Sequence, residues 1–203
     1  MTEPAGIPEW VNGLASTDRQ TREDAVFHLH LAGSYLCHSV LHQWMGEAEF
    51  RELAKPSHGK QSTDSDSVKL RITVGIAVQP ELFESIRAAN DSPRLADVPP
   101  DQDAKEFELH FEDSTNLDIL TTQDPSGAGA IARYLRKFGE GIQQVEVAVR
   151  DVTRATEILK SKFDVAPIYP ETRAGADGTR VNFFLAANPE GTKILVELVE
   201  EPR

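Results

Sequence analysis

The sequence predicts an α+β protein: a helical segment over residues 1–62, followed by two tandem βαβββ modules over residues 68–203. Three observations carry this. The stretches "ITVGIAV" (72–78) and "QQVEVAV" (143–149) alternate with the period of two expected of a half-buried strand. Each precedes an amphipathic helix, opened by Pro80 in the first case and Asp151 in the second, both good helix starters. The order of elements then repeats. Aligning Val74 with Val145 gives an offset of 71 residues, which suits a module of about 60 residues plus a connecting helix.

The helical segment comes first. "AVFHLHLAGSYLCHSVLHQWMG" carries no formal charge over 22 residues when its histidines are neutral. Thr17 with Gln20, or Thr21 with Asp24, can cap its start, and Gly46 or Pro56 can end successive helical pieces. Four histidines, two serines and a glutamine interrupt the run, which argues against a membrane span. Apolar side chains cover so much of the helix that it must be buried against the rest of the protein or a second copy. Residues 57–67 form a polar linker.

In the first module, Leu82, Phe83 and Ile86 supply the apolar stripe of the helix after "VKLRITVGIAV". "RLADV" reads as a short edge strand. "EFELHF" and "NLDILTT" read as two strands joined by "EDSTN". A helix from about Gly127 to Phe138 presents Ile131, Tyr134, Leu135 and Phe138 on one side. The second module follows as "QQVEVAV", the helix "VTRATEILKSKF", and the strands "VAPIYPET", "TRVNFFLAA" and "KILVELVE".

Acidic residues outnumber basic ones by 33 to 21, for a formal charge of -12 and a pI near 4.9. That balance opposes the counterion release that drives nucleic-acid binding. The single cysteine, Cys37, forms no internal disulfide, and "MTEPAGIPEW" lacks the basic and apolar blocks of a secretion signal. The expected location is the cytoplasm.

Two βαβββ units, with "GEGIQQVEVAVRDV" opening the second and "GTKILVELVE" closing it, resemble the vicinal oxygen chelate superfamily of glyoxalase and methylmalonyl-CoA epimerase. The run "FGEGIQQVEVAVRDV" is similar to the epimerase-like pattern of Gly-x-Gly-Ile-His-His, a strand and an Asp-started helix, except that glutamines stand where the two histidines would be. The resemblance covers about two thirds of the chain. It implies a glyoxalase-like domain in which each module curls into a half-barrel and four concave residues hold a divalent metal.

Strand alternation places Gln144, Glu146 and Ala148 on the concave side opposite Val145, Val147 and Val149. Likewise Thr73, Gly75 and Ala77 lie opposite Val74, Ile76 and Val78. The same parity puts Asp118 and Glu197 on the cavity side, so the family's metal positions fall on Thr73, Asp118, Gln144 and Glu197. Threonine and glutamine are feeble neutral donors in place of imidazole. Two carboxylates leave room for Mg²⁺, Mn²⁺ or Ca²⁺, or for a metal-free cavity.

Glu146 adds a third carboxylate to that face. Unpartnered, such a cluster raises at least one pKa and gives a candidate general base or acid; alternatively Glu146 pairs with Arg71. Glu146 and Glu197 are therefore the candidate catalytic residues. His38 and His42 stand four apart on one helix face, continued by Asp24, His28 and Tyr35. Such spacing can bind a metal, but Ser39 rather than a glutamate follows His38, so the expected role is a hydrogen-bonded packing interface. Cys37 reads as a small core residue. His110 stands opposite Phe107, Leu109 and Phe111 in strand parity, which a bulge would alter, and it supplies the missing imidazole only if it faces the cavity.

Two function classes follow. One is a small-molecule-binding protein with a degenerate metal site and no cofactor. The other is a metal-dependent isomerase or lyase of the glyoxalase or epimerase type. A third, a structural partner protein that recruits through the N-terminal helix, stays open. The expected partners are a small molecule and, through that helix, a second copy in a homodimer; no nucleic acid and no membrane is expected.

Overall fold

The computed structural model describes residues 6–54, 70–111, 115–189 and 191–202; the linker at 57–67 and the stop at Pro56 lie outside them. The elements are α1 (Ile7–Gly13), α2 (Arg19–Met45), α3 (Ala48–Leu53), β1 (Ile72–Ala77), α4 (Pro80–Ala89), β2 (Ala104–Phe111), β3 (Thr115–Thr122), α5 (Ala130–Phe138), β4 (Gly141–Ala148), α6 (Val152–Phe163), β5 (Arg173–Ala174), β6 (Arg180–Ala187) and β7 (Lys193–Glu200). The order is the expected one of helical segment, module, connecting helix, module. The chain forms two compact units: Met1–Ser34 with Thr73–Gln144, and Tyr35–Ile72 with Val145–Arg203. α2 changes unit after Ser34, and β4 after Gln144.

In the first unit, β3 is the central strand, parallel to β1 and antiparallel to β2. Val74, Ile76, Leu117 and Ile119 are fully buried on one face. Phe107, paired with Ile119, lies there too and meets Phe83 of α4 edge-on, with ring centroids 4.8 Å apart. α2 adds to this side: Gly33 lies directly against Val74, and His30 Nδ1 donates to the Asn116 carbonyl at 3.2 Å, which fixes the tautomer because a carbonyl only accepts. The other face is closed by α5, whose Ile131 and Leu135 pack with Ala77, Ala104 and Leu120. The Tyr134 hydroxyl donates to the Ile142 carbonyl at 2.7 Å and anchors that helix. Phe138, assigned by spacing to the same stripe, is exposed instead and carries Lys137 over its ring.

In the second unit, β7 is parallel to β4 and antiparallel to β6, which in turn pairs with β5. Val145, Val147, Val196, Leu198 and Phe184 form one core with Ala155, Ile158 and Leu159 of α6 and with Cys37, Val40, Leu41 and Trp44 of α2. α3 completes it through Phe50, and its Glu49 makes an ion pair with Arg154 of α6 at 2.5 Å. Asp151 caps α6 as its position demands, accepting from the Arg154 amide at 2.9 Å.

Several expectations need correction. α2 is capped by Asp18, whose carboxylate accepts from the Thr21 amide at 2.9 Å and hydroxyl at 2.6 Å; those bonds hold its pKa below the usual carboxylate value. "RLADV" forms no strand and keeps one ladder-like bond, from the Ala96 amide to the Glu106 carbonyl. "VAPIYPET" likewise reduces to a bridge between Pro167 and Phe184 and one bond from the Ile168 amide to the Phe183 carbonyl. The physical reason is common to both. Prolines in or beside each run remove the amide donors that a ladder needs. α1 was not anticipated, although Pro8 in its first turn and the Glu9 carboxylate accepting from the Gly6 amide at 2.8 Å mark its start.

α2 is buried on one side only. Val26, Leu29, Val40, Leu41 and Trp44 face inward, whereas Phe27, Leu31 and Tyr35 are exposed, Tyr35 to 80%. Among the described residues no helix is long and apolar enough to cross a membrane. Cys37 is fully buried, and burial pushes its thiol up to about 12. Thiolate is the reactive form, so in native protein at neutral pH a disulfide reagent should leave this cysteine unlabelled. In denaturant it should label one thiol per chain, which a colorimetric assay reads directly.

Candidate functional site

Each unit presents a wall of sheet opposite its module helix. In the first, β1 contributes Thr73, Gly75 and Ala77, and β3 contributes Asp118 beside Gly75 in register. Glu108 of β2 faces Asp118 from the other side. His110, two residues on, lies next to Asn116 in register. It is exposed, with Nε2 at 2.8 Å from the Glu108 carboxylate and Nδ1 at 3.0 Å from the Asn116 side-chain oxygen. Both ring nitrogens are thus occupied. The imidazole on this wall is held at its rim rather than offered beside Asp118.

Gln144 closes the middle of the same wall. A methyl group placed on Gly75 would lie 2.6 Å from its Cγ and 3.1 Å from Leu120, so the glutamine stem crosses the strand where Gly75 leaves room. With Ala77, Leu120 and the α5 side chains packed together, the first wall is largely filled by the protein itself. Gly75→Ala should therefore force Gln144 aside and cost about 1–3 kcal/mol by overpacking, measured by denaturant unfolding. Unchanged stability would mean that the glutamine stem is easily displaced.

The second wall is built differently. Glu146 of β4 pairs in register with Glu197 of β7, and Glu197 with Phe183 of β6, so two carboxylates and an aromatic ring stand side by side on one face. In-register side chains lie about 5 Å apart at Cβ. Tyr169 meets Phe183 edge-on at 6.0 Å, and the Arg173 guanidinium sits 4.5 Å from the centre of the Tyr169 ring. Leu185, next along β6 on that face, is exposed. The result is an acidic pair next to an open apolar and aromatic surface, with a cation at its margin. Neither Tyr169, Phe183 nor Arg173 was singled out from the sequence. The strand parity of "NFFL" was the signal available for Phe183.

Thr73, Asp118, Gln144 and Glu197 are each buried, between 6 and 8% exposed. The Arg71 guanidinium engages the Glu201 carboxylate.

The comparisons bear on this arrangement. No family model matches the sequence, and no curated protein matches it. Solved structures do. A methylmalonyl-CoA epimerase from Mycobacterium tuberculosis is 28% identical, over 72% of this chain and 95% of its own, with a TM-score of 0.53. A methylmalonyl-CoA epimerase in complex with methylmalonyl-CoA and ammonium is 26% identical over 65% and 94%, with a TM-score of 0.52. A variant of the Streptomyces coelicolor epimerase in complex with 2-nitronate-propionyl-CoA is 26% identical over 66% and 100%, again at 0.52. The fold is that of the vicinal oxygen chelate superfamily.

The family resemblance implies a divalent metal on the concave face, so the donor set here is the next question. The positions that the family resemblance assigns carry a hydroxyl, an amide and two carboxylates, with no imidazole among them. Among the described residues no three of His, Cys, Asp and Glu come together as a metal-binding group. Such a set does not fit the nitrogen-preferring metals Zn²⁺, Ni²⁺ or Co²⁺. Gln144, moreover, is committed to packing over Gly75.

Proposed function

We propose that the chain is a divergent small-molecule-binding protein of the glyoxalase-like fold, with Thr73, Asp118, Gln144 and Glu197 as a degenerate metal site. The observation that carries the reading is the fate of the glutamine that stands at a histidine position: its stem fills the space above Gly75. The surface left for a ligand is then the second wall. Phe183, Tyr169 and Leu185 supply apolar contact there, and Arg173 supplies charge at its edge. A relative of this fold holds methylmalonyl-CoA, so an acyl thioester with an anionic end is the first ligand class to examine.

Methylmalonyl-CoA should raise the melting temperature, since a ligand selective for the folded state stabilises it in proportion to RT ln(1 + [L]/Kd). Phe183→Ala and Arg173→Ala should reduce that shift while leaving the unliganded protein folded. A shift that needs added Mn²⁺, Ni²⁺ or Zn²⁺, or stoichiometric metal lost on Glu197→Ala, would overturn the metal-free reading. The neighbouring carboxylates favour a second reading, an isomerase in which Glu146 or Glu197 takes a proton from the carbon next to a carbonyl and returns it. Exchange of that proton with deuterated water, abolished by Glu146→Gln or by Glu197→Gln, separates it from simple binding.

A further inference from the structure

We propose that His38 and His42 form an open two-imidazole chelate on α2 for a borderline divalent cation such as Cu²⁺, Ni²⁺ or Zn²⁺, with water completing the coordination shell. The site is separate from the four positions discussed above and uses none of them. Both histidines lie on the exposed side of α2, while Cys37 just before them and Val40 and Leu41 between them are buried. They stand four residues apart, one turn of the helix, so their side chains project from neighbouring points of one face. Their rings already lie nearly parallel, 25° apart, with centroids separated by 6.1 Å.

A metal about 2.1 Å from one nitrogen of each ring asks those centroids to close only slightly. Rotation about the first side-chain torsion brings the rings together, and rotation about the broad terminal ring torsion turns one nitrogen of each toward the ion. The helix is a stiff support. Val40, Leu41 and Trp44 lock its inner side in the core of the second unit, so the backbone positions of the two histidines are fixed before the ion arrives and only their side chains have to be ordered on binding.

Electrostatics point the same way. Between Asp24 and Glu47 the chain has no lysine or arginine, so no fixed cation on this stretch of helix opposes a metal. The whole protein carries a formal charge of -12, which favours cation approach. Neutral imidazole is a preferred ligand of Cu, Ni and Zn and a poor one for Mg²⁺ or Ca²⁺. That preference sets the expected selectivity.

The experiment is a titration of the full-length protein, freed of any purification tag, with Ni²⁺ or Cu²⁺ in a calorimeter, accompanied by retention on immobilised Ni²⁺. The expected result is one ion per chain. His38→Ala and His42→Ala should each weaken binding by about tenfold or more, since outer-shell partners alone are worth roughly 10–100-fold. His28→Ala, also exposed on α2, and Glu197→Ala should leave this affinity unchanged. Far-UV circular dichroism of each variant confirms that the helix persists. Equal affinity in the parent and in His38→Ala would overturn the proposal, as would loss of binding on Glu197→Ala with His38 and His42 intact. Mg²⁺ competing as well as Ni²⁺ would also overturn it, since that would place the ion on oxygen ligands.

Discussion

Gly33→Ala destabilises the protein, against the trend for a helix interior. In an exposed helix the exchange gains about 1 kcal/mol, because glycine gives up more backbone freedom than alanine on folding. At position 33 the added methyl group would lie 2.5 and 2.6 Å from the two γ-carbons of Val74 and 3.2 Å from its Cβ. Valine has no escape: it is β-branched and stiff about its first torsion, and turning one methyl group away brings the other in. Overpacking of a tight core costs about 1–3 kcal/mol, which outweighs the propensity gain. The expected net loss is therefore up to about 2 kcal/mol, read as a lower denaturant midpoint with an unchanged slope. Gly33→Leu should be far worse. Adding Val74→Ala to Gly33→Ala should recover part of the loss, and that non-additivity separates a local clash from general weakening of α2. A stabilised Gly33→Ala variant would show that the helix can move away from β1 at little cost.

Trp44→Ala has the largest expected effect of any single truncation. Trp44 is 1% exposed and meets Phe50 at 5.8 Å and Phe184 at 6.3 Å, both edge-on. It therefore joins α2, α3 and β6 in the core of the second unit. Removing a buried indole costs about 3–5 kcal/mol, from lost transfer energy and the cavity left behind, and each aromatic pair adds about 0.5–1.5 kcal/mol beyond burial. Typical domains hold only about 5–15 kcal/mol in total. Trp44→Ala should thus lose most of its near-ultraviolet dichroism and unfold near physiological temperature, whereas Trp44→Phe should retain a large share of the stability. A melting temperature within a few degrees of the parent would refute the placement of Trp44 at the centre of that core.

Much of this was legible from residue types alone. The alternation in "ITVGIAV" and "QQVEVAV" gave the correct inward valines, because burial on one face leaves a period of two that no other element reproduces. The length of α6 and the role of Asp151 followed from an N-cap and an apolar stripe that agree. The proline-flanked runs were misread because local propensity ranks Val, Ile and Tyr as strand formers without asking which amides remain to donate. The cap of α2 went to Asp18 rather than a threonine, a choice between neighbours that composition does not decide. The walls were harder. Parity placed Glu146 and Glu197 together, yet the filling of one wall by Gln144 and α5 depends on packing between segments distant in sequence. The ring of Tyr169, brought to Phe183 by an irregular segment, has no periodic signature at all.

The unequal filling of the two walls bears on how the repeat can drift. Ala77 and Leu120 sit in a closed apolar cluster with α5, so substitutions there have to conserve volume. Leu185 opens onto solvent, where side-chain size is nearly free. In a saturation library the second copy should accept many residues at that position and the first copy few at its counterparts. Duplication would then have left one half as ballast for the scaffold and the other as the half that can change its taste.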